Sequence, residues 1–114
     1  MTTIQEHSPY ATLINVFTVP PERASELAEL LTVATDEVMR YLPGFISANI
    51  HLSVDGSRVV NYAQWDSAEA FQEMLQNPAA REHMDKCAEV ATSFDPHLYT
   101  VESVHSGVPP VVSP

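Results

Sequence analysis

Arg58-Val59-Val60-Asn61-Tyr62-Ala63-Gln64-Trp65-Asp66-Ser67 is the stretch that decides the fold of this chain. Its β-branched and aromatic residues read as a strand over 58–65, and the acid and serine that follow read as a helix start. Side chains alternate across a strand, so Val59, Asn61, Ala63 and Trp65 share one face and Val60, Tyr62 and Gln64 the other. An amide and an indole N–H therefore project from an otherwise apolar surface. Burying a polar group without a partner is costly, so these two either find partners inside the protein or stand ready for a ligand.

Outward from this strand, Asp55-Gly56 supplies a tight turn and Phe45 to Leu52 (FISANIHL) a preceding strand, together a β-hairpin. Pro43-Gly44 ends a helix in which Ala24, Leu27, Leu30, Leu31, Ala34, Val38 and Leu42 recur at helical spacing. Pro20-Pro21 separates that helix from a first strand, Tyr10 to Val19. Downstream, Asp66 is read as a helix cap, with Glu69 completing a capping box. Helical spacing runs through Ala70, Phe71, Met74 and Leu75, breaks at Asn77-Pro78, and resumes from Ala79 to about Ala91. Asp95-Pro96 reads as a loop and His97 to Val104 as the last strand. Residues 1–8 are expected as a flexible lead-in, 9–105 as one domain and 106–114 as an extended, proline-rich tail.

The order β-α-β-β-α-β predicts an α+β domain of the ferredoxin-like, split-βαβ kind, with both helices on one face of an antiparallel sheet. The other face, assigned Ile46, Ile50, Val60 and Tyr62, then needs cover. A homodimer packed sheet to sheet, a dimeric α+β barrel, is the expected solution.

Composition narrows the partners. Fifteen acidic residues face five basic ones, and the five (Arg23, Arg40, Arg58, Arg81, Lys86) are scattered. That is no footprint for nucleic acid or anionic membrane, and a neutral or aromatic ligand fits better. Cys87 is alone, so neither an internal disulfide nor a thiolate cluster can form. No apolar run approaches the ~20 residues of a membrane span, and Met1 to Ser8 lacks the pattern of a secretory signal. The expectation is a soluble, cytoplasmic protein. None of the five histidines pairs with another at helical i, i+4 spacing, and no metal site is predicted. Neither a Gly-x-Ser-x-Gly elbow nor a glycine-rich phosphate loop is present.

The candidate site is built on Asn61 and Trp65. On the first strand Asn15 lies between Leu13 and Phe17 and is expected to face the same layer. Two asparagines and an indole on one apolar face are more than a core accepts unpaired. Such a pocket could hold an aromatic ring and donate hydrogen bonds to an oxyanion on it. Phe17, Phe71, Arg81 at the mouth and His83 near the inward side of the last helix complete the candidate substrate-binding set.

Pro43-Gly44-Phe45-Ile46-Ser47-Ala48, then Asp55-Gly56, then Val59 to Ser67 resembles the antibiotic biosynthesis monooxygenase family. The similarity is greatest to its small anthrone oxygenases of the actinorhodin type. The resemblance implies a dimeric α+β barrel in which Asn61 and Trp65 are catalytic, Asn15 contributes, and neither flavin, haem nor metal takes part. It implies oxidation of a phenolic anthrone or quinol to a quinone, with molecular oxygen as co-substrate. One departure stands out: Phe71 occupies the place of a tyrosine in the actinorhodin-type enzyme. Two other readings share the fold. A non-catalytic small-molecule-binding or stress-response protein is one. A haem-degrading monooxygenase is the other, but Leu75 stands where its axial histidine belongs and His83 lies nearly two turns too far along.

Overall fold

The computed structural model describes residues 1–111. The elements are β1 (Ala11–Thr18), α1 (Ala24–Glu37), β2 (Phe45–Leu52), β3 (Arg58–Trp65), α2 (Ala68–Gln76), α3 (Pro78–Val90) and β4 (Ser93–Tyr99). Short 3-10 turns at Pro21–Arg23 and Met39–Tyr41 flank α1. The strands form one antiparallel sheet in the order β2-β3-β1-β4. This is the ferredoxin-like α+β arrangement, with its helices on one face of the sheet.

Pairing of β1 with β3 sets the inner face, because Leu13 lies opposite Ala63, Asn15 opposite Asn61 and Phe17 opposite Val59. The helices cover that face with two groups of apolar side chains. One gathers Phe17, Leu27, Leu31, Val59, Cys87 and Val90. The other gathers Leu13, Trp65, Phe71, Met74 and Ala80 around Ala63. The core is thus divided rather than continuous, and the division leaves room between the halves.

Five local readings are corrected. The register of β2 on β3 shifts between Phe45 and Ser47, with Phe45 opposite Trp65 but Ser47 opposite Gln64. This bulge takes up Ile46 and reverses the side-chain parity of the rest of β2. Ile50 therefore packs against the helix-side core instead of the outer face. The cap of α2 is Ser67, not Asp66: its hydroxyl accepts from the Ala70 N–H at 3.1 Å and donates to Asp66 Oδ1 at 3.1 Å. With alanine three residues after the cap, no capping box forms. Regular α1 stops at Glu37, short of Leu42, and a 3-10 turn completes the approach to Pro43. Finally, β4 begins at Ser93 and ends at Tyr99, so Asp95-Pro96 lies within a strand and Val101 to Val104 do not. Proline is tolerated there because β4 is an edge strand.

Asn77 works for two helices at once. It terminates α2, and its side chain accepts from the Ala80 N–H at 3.0 Å to cap α3 just before Pro78. On the outer sheet face, Gln64 is only 2% exposed. Its Nε2 donates to the Thr3 carbonyl at 2.7 Å and its Oε1 accepts from Ser47 Oγ at 3.0 Å. Residues 2 and 3 therefore lie against this end of the sheet, with Thr2 bonded to Asn49. Of the tail, residues 106–111 have no regular structure, and 112–114 lie outside the described residues.

Gly44 joins the end of the α1 segment to the start of β2 at φ +84°. Its carbonyl accepts from the Asp66 N–H at 2.7 Å, and a Cβ there would meet Asp66 Oδ1 at 2.6 Å and the Ala70 Cβ. Gly56 also has positive φ, but its nearest neighbour would be Pro21 Cβ at 3.5 Å. Gly44→Ala is expected to cost about 2–4 kcal/mol in urea unfolding and Gly56→Ala about 1–2 kcal/mol, since only the first adds overpacking to backbone strain. Asp55 accepts hydrogen bonds from the Ser57 hydroxyl and N–H and from the Ser53 hydroxyl, which hold its carboxyl down at about 2. A group with a lowered folded pKa stabilises the fold above its unfolded value and loses that contribution as pH falls through its folded value. The contribution should therefore vanish between about pH 4 and pH 2, and unfolding titrations of Asp55→Asn should lack that part of the acid dependence.

Candidate active site

Between the sheet and the helices lies a cavity of about 590 Å³, within the range of sites for drug-sized molecules. Its sheet wall carries Leu13, Asn15, Phe17, Asn61, Ala63 and Trp65, and the facing wall includes Phe71, Met74 and Met84 from α2 and α3. Ala48 and Ala63 sit opposite each other on β2 and β3. Two methyl groups where larger side chains would fill the core leave space for a ligand.

The polar groups on this apolar lining are few and specific. Asn15 and Asn61 are direct cross-strand partners, which brings their Cβ atoms to roughly 5 Å. The Asn15 Oδ1 accepts from the Asp95 N–H of β4 at 3.2 Å. That partner can only donate, so the Asn15 oxygen is fixed toward β4 and its NH₂ group is left to donate elsewhere. Asn61 differs: its Oδ1 is enclosed and has no hydrogen-bond partner among the described residues. An enclosed, unpaired amide oxygen costs about 1–3 kcal/mol. Such a cost beside a cavity marks a group placed for something other than stability.

Trp65 is 2% exposed, with Phe45 edge-on at 5.4 Å and Phe71 at 6.5 Å between ring centroids. The two phenyl rings hold the indole at the end of β3 and continue the aromatic lining. Phe17 at the other end of the cavity stands 6.2 Å from Phe94 of β4. Phe94 is 54% exposed and lines the cavity together with Pro96 and Leu98 of the same strand. Cys87 also lines the wall, and burial pushes its thiol up to about 11, so it is protonated and unreactive at neutral pH.

The structure brings Asn15, Phe17, Asn61, Trp65, Phe71 and Arg81 to one cavity. His83 is not brought there: its side chain is turned toward α1, with Nε2 3.8 Å from Glu37 Oε2. The face of α3 that lines the cavity carries Arg81, Met84, Asp85 and Ala88, which leaves His83 on the side that meets α1. Sequence reasoning missed Phe45, Phe94, Met39 and Met84. Phe94 alternates with Pro96 and Leu98, a signal hidden by reading Asp95-Pro96 as a loop. Every methionine except Met1 lines this one cavity.

Residues 11–86 match the family model described as antibiotic biosynthesis monooxygenase. The chain is 45% identical, over 80% of its length and 81% of the relative's, to tetracenomycin-F1 monooxygenase of Streptomyces glaucescens. A monooxygenase from the gene ActVA-Orf6 of Streptomyces coelicolor, solved in complex with the ligand nanaomycin D, superposes with a TM-score of 0.77. It is 29% identical, with 86% of this chain and 92% of that one covered. SnoaB, a cofactor-independent oxygenase from Streptomyces nogalater, shares the fold at a TM-score of 0.74 and 21% identity, covering 85% of this chain and 97% of that one. The chain belongs to the antibiotic biosynthesis monooxygenase family. Its activity is that of a monooxygenase.

If the Asn61 oxygen is an unpaired group kept for chemistry, removing it should relieve the fold. Asn61→Leu is expected to leave the urea midpoint unchanged or higher, while Asn61→Asp, which encloses a charge, should lower stability by more than about 2 kcal/mol.

Proposed function

We propose that this protein oxidises a phenolic, polycyclic, polyketide-like substrate, an anthrone or quinol, to a quinone with dioxygen and without flavin, haem or metal. The single observation that carries the reading is the pair Asn61 and Trp65 on one strand face of an aromatic-lined cavity, with the Asn61 oxygen left unpaired. The relative named for a polyketide intermediate and the neighbour solved with nanaomycin D support the substrate class. The cofactor-independent neighbour supports the absence of a prosthetic group.

The chemistry asks little of the protein beyond binding and hydrogen bonding. Loss of a proton from the reacting CH₂ of an anthrone gives a carbanion whose charge is delocalised onto the ring oxygen. A hydrogen bond to that oxygen stabilises the anion and so lowers the acidity barrier. In this reading the NH₂ groups of Asn61 and Asn15 donate to this oxygen, and Trp65 supplies a ring surface and an N–H donor. The carbanion carbon bonds to dioxygen, and protonation gives a hydroperoxide. Loss of the second hydrogen of that carbon as a proton then breaks the O–O bond and releases water. Two C–H bonds supply four electrons; one oxygen atom becomes the quinone carbonyl and the other water. Phe71 contributes its ring but no phenol, so no proton is relayed through that position.

As part of the same proposal, two copies pack sheet to sheet as a homodimer in the cytoplasm. None of the helices among the described residues is long and apolar enough to cross a membrane.

Purified protein treated with chelator should oxidise dithranol in air, with quinone formed and oxygen consumed one to one. Asn61→Ala should lower kcat about 10²-fold or more, the usual effect of removing an oxyanion donor, and Trp65→Phe should lower it as well. Dependence on added metal or flavin, or equal rates in wild type and both variants, would sink the proposal.

A further inference from the structure

Among the described residues the buried polar side chains are Thr12, Ser47 and Gln64, and they form one row across the outer sheet face. Ser47 of β2 lies opposite Gln64, and so does Thr12 of β1. Gln64 is the centre of the row, and both ends of its amide are engaged. Its Nε2 donates to the Thr3 carbonyl at 2.7 Å, and its Oε1 accepts from the Ser47 hydroxyl at 3.0 Å. It thus ties β3 to β2 and to the N-terminal segment. That segment is fastened further along, where the His7 N–H donates to the Val101 carbonyl at 2.8 Å. A methionine would fill this place without the cost of enclosing an amide. The amide therefore serves geometry rather than burial.

The bond between Ser47 and Gln64 belongs to one register only. With the bulge at Ile46, Ser47 lies opposite Gln64 on the outer face and Ala48 opposite Ala63 on the cavity floor. Without the bulge, Ile46 would pair with Gln64 and Ser47 with Ala63, which carries the hydroxyl to the other face of the sheet. The Gln64 oxygen would then lose its donor on β2. Ile50, packed in the core, favours the bulged register too. Gln64 adds a directional bond beside the bulge itself. On the other side of the bulge, Phe45 meets Trp65 edge-on at 5.4 Å. Trp65 follows Gln64 in the chain, and just after it the Asp66 N–H donates to the Gly44 carbonyl at 2.7 Å. The indole is flanked on both sides by residues hydrogen-bonded to the start of β2.

We infer that Gln64 is a positioning residue for the candidate active site: by bonding Ser47 and Thr3 it fixes the bulge of β2, and the bulge fixes Phe45 against Trp65. The inference rests on the proposed reading of Trp65 as part of the oxygenase machinery. Gln64 itself meets no substrate, because its side chain lies on the sheet face away from the cavity. Its contribution is the orientation of the indole, where small displacements are costly to rate.

Trp65 is the only tryptophan, so its near-ultraviolet circular dichroism reports its setting without any substrate. Gln64→Met, close in volume, should change that signal and lower kcat for dithranol about ten-fold with little change in KM. Ser47→Ala should do the same to a smaller degree, and Ser47→Thr, which keeps the hydroxyl, should restore both readouts. Val16→Ala, on the same face two rows away, is the control for stability alone. It should lower the urea midpoint and leave signal and kcat at wild type. If Gln64→Met does not fold, the two Ser47 variants decide the matter. A wild-type signal and kcat in Gln64→Met and Ser47→Ala, failure of Ser47→Thr to restore them, or an equal change in Val16→Ala would overturn the inference. A changed signal with no turnover by wild type keeps the tie between Gln64 and Trp65 and removes the oxygenase reading. Turnover with signal and kcat unmoved does the reverse.

Discussion

The antiparallel pairing of β1 with β3 is the constraint on which the rest of this molecule depends. It sets Asn15 opposite Asn61 and Leu13 opposite Ala63, and so determines what faces the helices. An all-apolar inner face of ordinary volume would close into a solid core. Here alanines replace larger residues and amides replace hydrocarbon, so the middle of the domain stays open. Stability is carried by the two apolar groups on either side, one around Leu27 and Val59, the other around Trp65 and Phe71. The division of the core and the presence of the site are one fact seen from two directions.

The two asparagines are alike in sequence but unlike in circumstance. Asn15 is tied by its oxygen to the backbone of the edge strand and has a defined orientation. Asn61 has no such tether at its oxygen. A tethered amide thus stands next to one whose oxygen is unpaired among the described residues. The aromatic rings around Trp65 meet edge to face and hold the indole in position.

Much of this was legible in the sequence because it rests on strong local signals. The alternation of β3, the Asp55-Gly56 turn and the helical spacing before Pro43 fix the element order. That alternation alone places Asn61 with Trp65, and the β1 pattern adds Asn15 and Phe17. What was not legible depends on tertiary context. Proline is excluded from a strand only if its nitrogen must donate, so Asp95-Pro96 concealed an edge strand and with it Phe94. A bulge leaves no composition signal when its residue is isoleucine, so Ile50 was placed on the wrong face. His83 shows the limit of helical-wheel reasoning on a short helix with two apolar neighbours. The side facing α1 and the side facing the cavity are both inward, and only the structure separates them.

The bulge at Ile46 has a bearing on how this family can vary. Between Gly44 and Ser47 the chain passes from a glycine locked against α2 to a strand whose parity has just been reversed. Straightening the bulge with every residue kept would turn Asn49 and His51 toward the helices and Ala48 away from them, exchanging the open floor for polar bulk, whereas loss of Ile46 itself would leave Ser47 opposite Gln64 and Ala48 opposite Ala63. The distal end of the same hairpin, at Asp55-Gly56, is free of that restriction. Wherever the cavity is kept, this end of β2 should therefore carry either the bulge or a strand one residue shorter, while other changes of length collect at the far turn.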